Sequence, residues 1–333
     1  MVKHGIHDSV EELTKISGRF TVFNRKFIEK EELQHMGKLY SALIVLSLIW
    51  GTSFLFIKVL LSAIGPGAVV FGRCLFGTIM LFVILFLSKK NSQRKKIPWL
   101  SLFFVALTNN ALPWLLICTS ETRLSSSMAS IINATTPIWT LIIGFLFFSL
   151  SLRKNQWIGI LIGFIGIFIL SDFKLGDLYT GNTIGILLMT GATFCYGLGA
   201  QLTKKYLLKL SVIETSFFTL AISTVISFIM MMVLTPQSIS AFLNINLLVP
   251  FIGLGAFGSG IAYLLYYYLV KKGGPEFASL VTYLVPVSAI IWGALLLHEE
   301  FHLYMLIGLL VIFAGVYSSS LKSKRESKIN SAI

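Results

Sequence analysis

A chain of 333 residues that is 56% hydrophobic and 12% charged is not a water-soluble globular protein, because soluble domains carry about 25% charged residues. Its net charge of +13 would suggest nucleic acid in a soluble chain, but the basic residues collect between apolar runs, so no nucleic-acid partner is expected. The runs recur at the roughly 20 residues a bilayer requires and lack barrel-strand alternation, which predicts an all-α integral membrane protein.

In chain order, residues 1–38 mix both charges, hold no apolar run and contain no secretory h-region. They read as a cytoplasmic N-terminal tail, or as an extension ahead of a start at Met36. Ten spans follow, at about 39–61, 66–88, 98–119, 124–148, 155–171, 182–203, 211–234, 247–270, 276–297 and 302–321. Connections after even-numbered spans carry Lys89, Lys90, Arg94, Lys95, Lys96, Arg153, Lys154, Lys204, Lys205, Lys209, Lys271 and Lys272, and the tail 322–333 adds Lys322, Lys324, Arg325 and Lys328. Connections after odd-numbered spans carry Arg123 and Lys174. This imbalance predicts both termini in the cytoplasm of a bacterial inner membrane. Cys74, Cys118 and Cys195 fall inside apolar runs and read as packing residues, not a disulfide framework.

Residues 129–166 and 278–315 align without a gap at an offset of 149, with eleven of 38 positions identical. Among these are Pro137/Pro286, Gly144/Gly293, Gly159/Gly308 and Gly166/Gly315, residues that constrain the backbone. A weaker echo relates Trp50, Gly51 and Lys58 to Tyr196, Gly197 and Lys204 at an offset of 146. The reading is a duplication, with repeats at 39–172 and 173–321. Five spans per repeat is an odd number, so the second copy is expected upside down, as in transporters whose site lies where two inverted halves meet.

Pro113, Pro137 and Pro286 lie inside spans, and each frees the carbonyl four residues earlier: Asn109, Asn133 and Thr282. Unpaired backbone at membrane depth is tolerated against protein or a water-filled cavity. These kinks therefore either line a substrate path or are patched by neighbouring hydroxyls. Trp50, Tyr196, Tyr263, Tyr266, Tyr267, Tyr283 and Trp292 are the aromatic candidates, amphipathic side chains within spans, with Trp50, Tyr263 and Tyr283 foremost. Lys58 and Arg73, in the outer third of their spans, are candidate anion contacts, with snorkelling to the outer interface the simpler reading. Gly159 and Gly163 read as a close helix approach. His298 and His302, beside Glu299 and Glu300, read as a charged rim; no metal and no cofactor are expected.

The chain resembles the EamA-type members of the drug/metabolite transporter superfamily over about residues 40–320. The resemblance rests on Ile49, Trp50, Gly51, Thr52 and Ser53, on Arg73, on Ala129, Ser130 and Pro137, and on Ala278, Ser279, Tyr283 and Pro286. It continues through Glu299, Gly308 and Gly315. It implies a ten-helix carrier of small metabolites or amino acids with a central cavity, often working outward. The acidic residues common in the family at the end of helix 4 and before the helix 9 proline are Leu150 and Val285 here.

The function expected is a secondary carrier for a small amphipathic solute, an exporter or a facilitator/exchanger working by alternating access. Uptake of a host- or medium-derived metabolite is the alternative. An intramembrane enzyme would need a buried nucleophile with its base, or paired carboxylates. The acidic residues Glu121, Asp172, Glu214, Glu276, Glu299 and Glu300 fall at span ends or connections, so neither catalysis nor proton coupling is expected. A non-transporting receptor would leave the duplication unexplained. The partners expected are a small-molecule substrate and the lipid bilayer, and the sequence is compatible with a homodimer.

Overall fold

The computed structural model describes residues 34, 36–88, 97–170, 182–236, 242, 244–296 and 303–320. The chain divides into two units, Met1–Ala42 and Leu43–Ile333, and the cavity described below lies wholly within the second. Every regular element among the described residues is helical. In order these are α1 Met36–Leu61, α2 Pro66–Leu87, α3 Trp99–Glu121, α4 Ser126–Phe147, α5 Lys154–Leu170, α6 Asn182–Tyr206, α7 Val212–Leu234, α8 Ile245–Lys272, α9 Pro275–Leu296 and α10 Leu303–Ser320. Among the described residues eight of them, all except α5 and α10, are long and apolar enough to cross a membrane. The rim expected at His298, Glu299, Glu300 and His302 lies outside the described residues.

Local chemistry sets the helix ends. Ser125 accepts from the Met128 amide at the start of α4. At α7 the Ser211 hydroxyl and the Glu214 carboxylate form a reciprocal capping box that satisfies two amides the helix leaves open. Between α8 and α9, Gly274 takes φ 91°, a left-handed conformation natural to glycine, and Pro275 then opens α9.

Burial is inverted relative to a soluble bundle. On α7, Ser216, Thr219, Ser223 and Ser227 are buried while Val225, Ile229 and Val233 are exposed. Lipid tails are as apolar as leucine, so packing and polar contacts between helices, not apolar burial, hold such a bundle together. The Thr78 hydroxyl of α2 meets the Thr224 hydroxyl of α7 at 2.9 Å. Small residues let backbones approach closely. A Cβ on Gly51 of α1 would meet Ser288 and the Ala289 nitrogen of α9, and one on Gly197 of α6 would meet the Trp139 carbonyl carbon and the Thr140 nitrogen of α4. A Cβ on Gly315 of α10 would lie 2.7 Å from the Gly163 nitrogen and 2.8 Å from the Gly159 oxygen of α5, the close approach expected of those two glycines.

Four helices are irregular within their length. α3 carries a π-helical turn at Leu107–Ala111 and α8 a longer one at Ile252–Ile261. α4 is interrupted at Ala134 and Thr135, between Ser126–Asn133 and Thr136–Phe147. α9 is interrupted at Leu280, between Pro275–Ser279 and Val281–Leu296. The sequence places a kink at Pro286, but that proline sits inside the uninterrupted segment Val281–Leu296, and the break falls upstream of it.

The Gly197 contact yields a stability prediction. Gly197→Ala should destabilise the protein by roughly 1–3 kcal/mol, because its Cβ would sit 2.8 Å from the Thr140 backbone nitrogen, which cannot swing aside. Gly191→Ala, whose nearest neighbour would be the Leu116 Cδ1 at 3.5 Å, should be neutral or slightly stabilising. Unfolding in detergent micelles checks both.

Candidate functional site

Residues in or beside the irregular stretches of α3, α4 and α9, together with the regular segment that follows the π-helical stretch of α8, line a common cavity of about 600 Å³, counting the space open to its mouth. Its walls are Trp50, Ser53, Phe54 and Ile57 of α1, Arg73 of α2, Asn109 and Ile117 of α3, and Asn133, Thr136 and Thr140 of α4. Tyr196 and Ala200 of α6, Tyr263 and Tyr266 of α8, and Ala278, Ser279, Val281 and Thr282 of α9 complete them. The mixture of aromatic walls with a few polar groups is typical of ligand sites.

The carbonyl freed by Pro113 is put to use. The Asn109 oxygen accepts the Tyr263 hydroxyl at 2.7 Å, so one broken helix bond is replaced by a contact between α3 and α8. The Asn109 side chain extends that contact: its Oδ1 accepts the Tyr266 hydroxyl at 3.3 Å and its Nδ2 donates to Tyr267 at 3.4 Å. Tyr267 in turn donates to Thr219 of α7 at 3.1 Å. The π-helical stretch of α8 offers the Gly258 carbonyl, which accepts the Trp50 indole N–H at 3.2 Å and the Arg73 Nη2 at 3.4 Å. Trp50, Tyr263 and Tyr266 form one aromatic cluster, with ring centroids 5.5–6.2 Å apart.

At Pro137 the outcome differs: the Asn133 carbonyl accepts the Thr136 hydroxyl at 2.7 Å, so the break is patched locally. The Asn133 side chain, 5% exposed and lining the cavity, keeps a buried Oδ1 without a hydrogen-bond partner. Whichever way the amide is turned, one of its polar atoms is open to a ligand. Thr282 lines the cavity while its hydroxyl donates to the Ser279 carbonyl at 2.7 Å.

Two expected roles move. Tyr283 lies outside the cavity lining, in an apolar cluster with Ile131, Ala134 and Ile290 and against Gly163 of α5. It is the residue after Thr282, and one step along a helix turns a side chain about 100° away. Arg73 does not snorkel outward. It is 4% exposed, its Nε donates to the Ser259 hydroxyl at 2.7 Å, and its guanidinium lies 3.8 Å from the Trp114 ring centre. Lys58, its expected companion, instead donates to the Glu121 and Leu124 carbonyls at 2.8 and 2.9 Å, at the end of α3 where helix carbonyls lack partners. Glu121 closes α3 as expected of a terminal residue, yet it is fully buried.

Several lining residues are not singled out as site residues by the sequence, among them Ser53, Thr136 and Thr140. Ser53, Phe54 and Ile57 lie three, four and seven residues after Trp50, the spacing of one helix face, and that is the available signal. Beside Thr140, Gln201 of α6 donates through Nε2 to the Thr140 carbonyl at 3.0 Å and to Glu276 of α9 at 3.1 Å. This ties three wall helices together.

The Pro113–Tyr263 pairing is testable. Tyr263→Phe should cost about 1–3 kcal/mol, because it orphans a buried carbonyl that proline has already deprived of its helix donor. In a Pro113→Ala background, where an amide is restored, the same change should cost less. A double-mutant cycle followed by thermal unfolding measures that coupling.

The family model for the EamA-like transporter family matches residues 37–172 and again residues 183–321. An uncharacterized transporter of Archaeoglobus fulgidus is 26% identical over 269 residues, covering 80% of this chain and 93% of the relative. The uncharacterized inner membrane transporter YedA of Escherichia coli is 28% identical, covering 77% of this chain and 81% of its own length. The uncharacterized transporter YdfC of Bacillus subtilis is 25% identical, covering 84% and 90%. A solved crystal structure at 15% identity superposes with a TM-score of 0.64 over 84% of this chain and 98% of its own, a likeness of fold alone. With most of its length matched by that model and its apolar helices built around a central cavity, the chain is an integral membrane protein belonging to the EamA-like transporter family.

Proposed function

We propose that the protein is a secondary carrier that moves a small amphipathic metabolite, of the size and character of an amino acid, by alternating access around this cavity. In this reading α1–α5 and α6–α10 are two inverted five-helix repeats, at residues 39–172 and 173–321, making ten crossings of a bacterial inner membrane with both tails cytoplasmic.

Exchanged contacts carry the proposal. Gly51 of α1 abuts Ser288 and Ala289 of α9, and Gly197 of α6 abuts Trp139 and Thr140 of α4. Gly51 and Gly197 are partners at the offset of 146, while Trp139/Ser288 and Thr140/Ala289 are partners at the offset of 149. Each half thus lends its first helix to the fourth helix of the other. Thr78 and Thr224, also 146 apart, touch each other, as equivalent residues beside a pseudo-twofold axis would. The irregular turns agree as well, since Asn109 and Gly258, whose carbonyls take the cross-helix bonds, are 149 residues apart. Such halves allow one asymmetric arrangement to be exchanged for its mirror in role, opening the cavity to one side and then the other.

Among the described residues, no carboxylate or histidine lines the cavity. This favours a facilitator or exchanger, including one working outward, over a carrier with a titrating group beside its substrate.

Counterflow in proteoliposomes tests the proposal. Vesicles preloaded with a mixture of unlabelled amino acids and small organic acids should take up labelled members of that mixture at equal pH on both sides. Asn133→Ala should lower that uptake roughly tenfold, the scale of one lost polar contact in a buried site. Tyr283→Phe, outside the lining, should leave it within about twofold. Absence of counterflow for every solute, or equal loss in both variants, would contradict the reading.

A further inference from the structure

We infer that the solute this cavity takes is a compact organic anion, a carboxylate whose charge is countered by Arg73. The inference rests on the carrier reading for the site's purpose, but its physical basis is separate.

Among the described lining residues, Arg73 is the one that carries a full charge at neutral pH. It is 4% exposed, and a guanidinium cannot shed its proton to ease burial. Its hydrogen-bond acceptors among the described residues are the Ser259 hydroxyl and the Gly258 carbonyl, both neutral. A buried cation whose hydrogen-bond partners are neutral carries a desolvation cost, and an anion of matching geometry at the guanidinium offsets it. The two bonds use Nε and Nη2, which leaves Nη1 for a ligand in the cavity. Trp114, 3.8 Å away, lies against the guanidinium and fixes its plane. A neutral brace between α2 and α8 would need only amide donors. The charge adds nothing to that role.

The remaining lining supplies the other features of the ligand. Trp50, Tyr263 and Tyr266 present an aromatic wall, and the open amide of Asn133 offers a hydrogen bond. Lys58 is committed to the Glu121 and Leu124 carbonyls and lies outside the lining, so it does not share the anion. Glu121, at the end of α3, lies outside the lining, so the described cavity wall itself holds no carboxylate beside Arg73. A cationic solute would meet Arg73 with no carboxylate among the described lining residues to compensate.

Three molecules of one size and different charge test this on the purified full-length protein: benzoate, benzamide and benzylamine. Binding is read by thermal stabilisation and by tryptophan fluorescence, since Trp50 and Trp114 flank the site. Benzoate should bind the unaltered protein at least roughly tenfold more tightly than either of the others, the scale of a charge-assisted hydrogen bond. Arg73→Gln should abolish that advantage, and Arg73→Lys should keep part of it. Equal binding of the three by the unaltered protein, binding of none, or a benzoate preference that survives Arg73→Gln would each overturn the inference. The comparison on the unaltered protein decides it even if Arg73→Gln fails to assemble. Counterflow of neutral or cationic solutes without carboxylate exchange would overturn it while sparing the carrier reading; absence of all counterflow would overturn the carrier reading instead.

Discussion

Everything in this molecule follows from a solvent that cannot hydrogen-bond. In lipid a backbone group without an internal partner is too costly to leave facing outward, so any helix that departs from regularity must turn the departure inward. The irregular stretches of α3, α4 and α9 do so beside one cavity, and that of α8 is buried behind it, its Gly258 carbonyl held by two residues of the cavity wall. Their freed carbonyls do not wait for water. Asn109 is taken by Tyr263, and Gly258 by Trp50 and Arg73. The polar groups that make the site chemically selective are the same ones that make its irregular backbone tolerable.

On the alternating-access reading, these same bonds are the ones a change of state would exchange. The bonds that close the freed carbonyls run between helices: α3 to α8, α1 to α8, α2 to α8. A movement of α8 relative to its neighbours would exchange several of them together. A glycine-rich π-helical stretch suits such movement, because its hydrogen-bond pattern is already displaced from the α-helical one. Regular segments such as Val212–Leu234, with one buried polar face and one apolar face, provide the rigid frame against which it would occur.

Much of the architecture is legible in the chain because membrane helices announce themselves by length and apolarity. The spans expected at 66–88 and 211–234 appear as Pro66–Leu87 and Val212–Leu234. Trp50, Asn109, Asn133, Tyr263 and Thr282 all reach the cavity, since a freed carbonyl or a polar aromatic at membrane depth has few other places to go. Tyr283 does not, because adjacency to Thr282 along a helix turns it to another side, and only the phase of the helix separates them. For Arg73, distance from the span's end suggests snorkelling, and the suggestion misleads. What decides its direction is the tertiary arrangement of Trp114 and Ser259, and no local pattern in α2 encodes that. The π-helical turns are likewise illegible, as the same glycines would also serve an ordinary close-packed helix.

If one cavity serves both faces of the membrane in turn, two-sided accessibility shows it most directly. Ser53→Cys places a small thiol on the cavity wall, and the native Cys74, Cys118 and Cys195 are all buried, so a background lacking them is a simple control. A membrane-impermeant thiol reagent should label the introduced thiol in right-side-out vesicles and also in inside-out vesicles. Labelling from one side only, whatever solute is present, would contradict alternating access and leave the cavity a one-sided pocket.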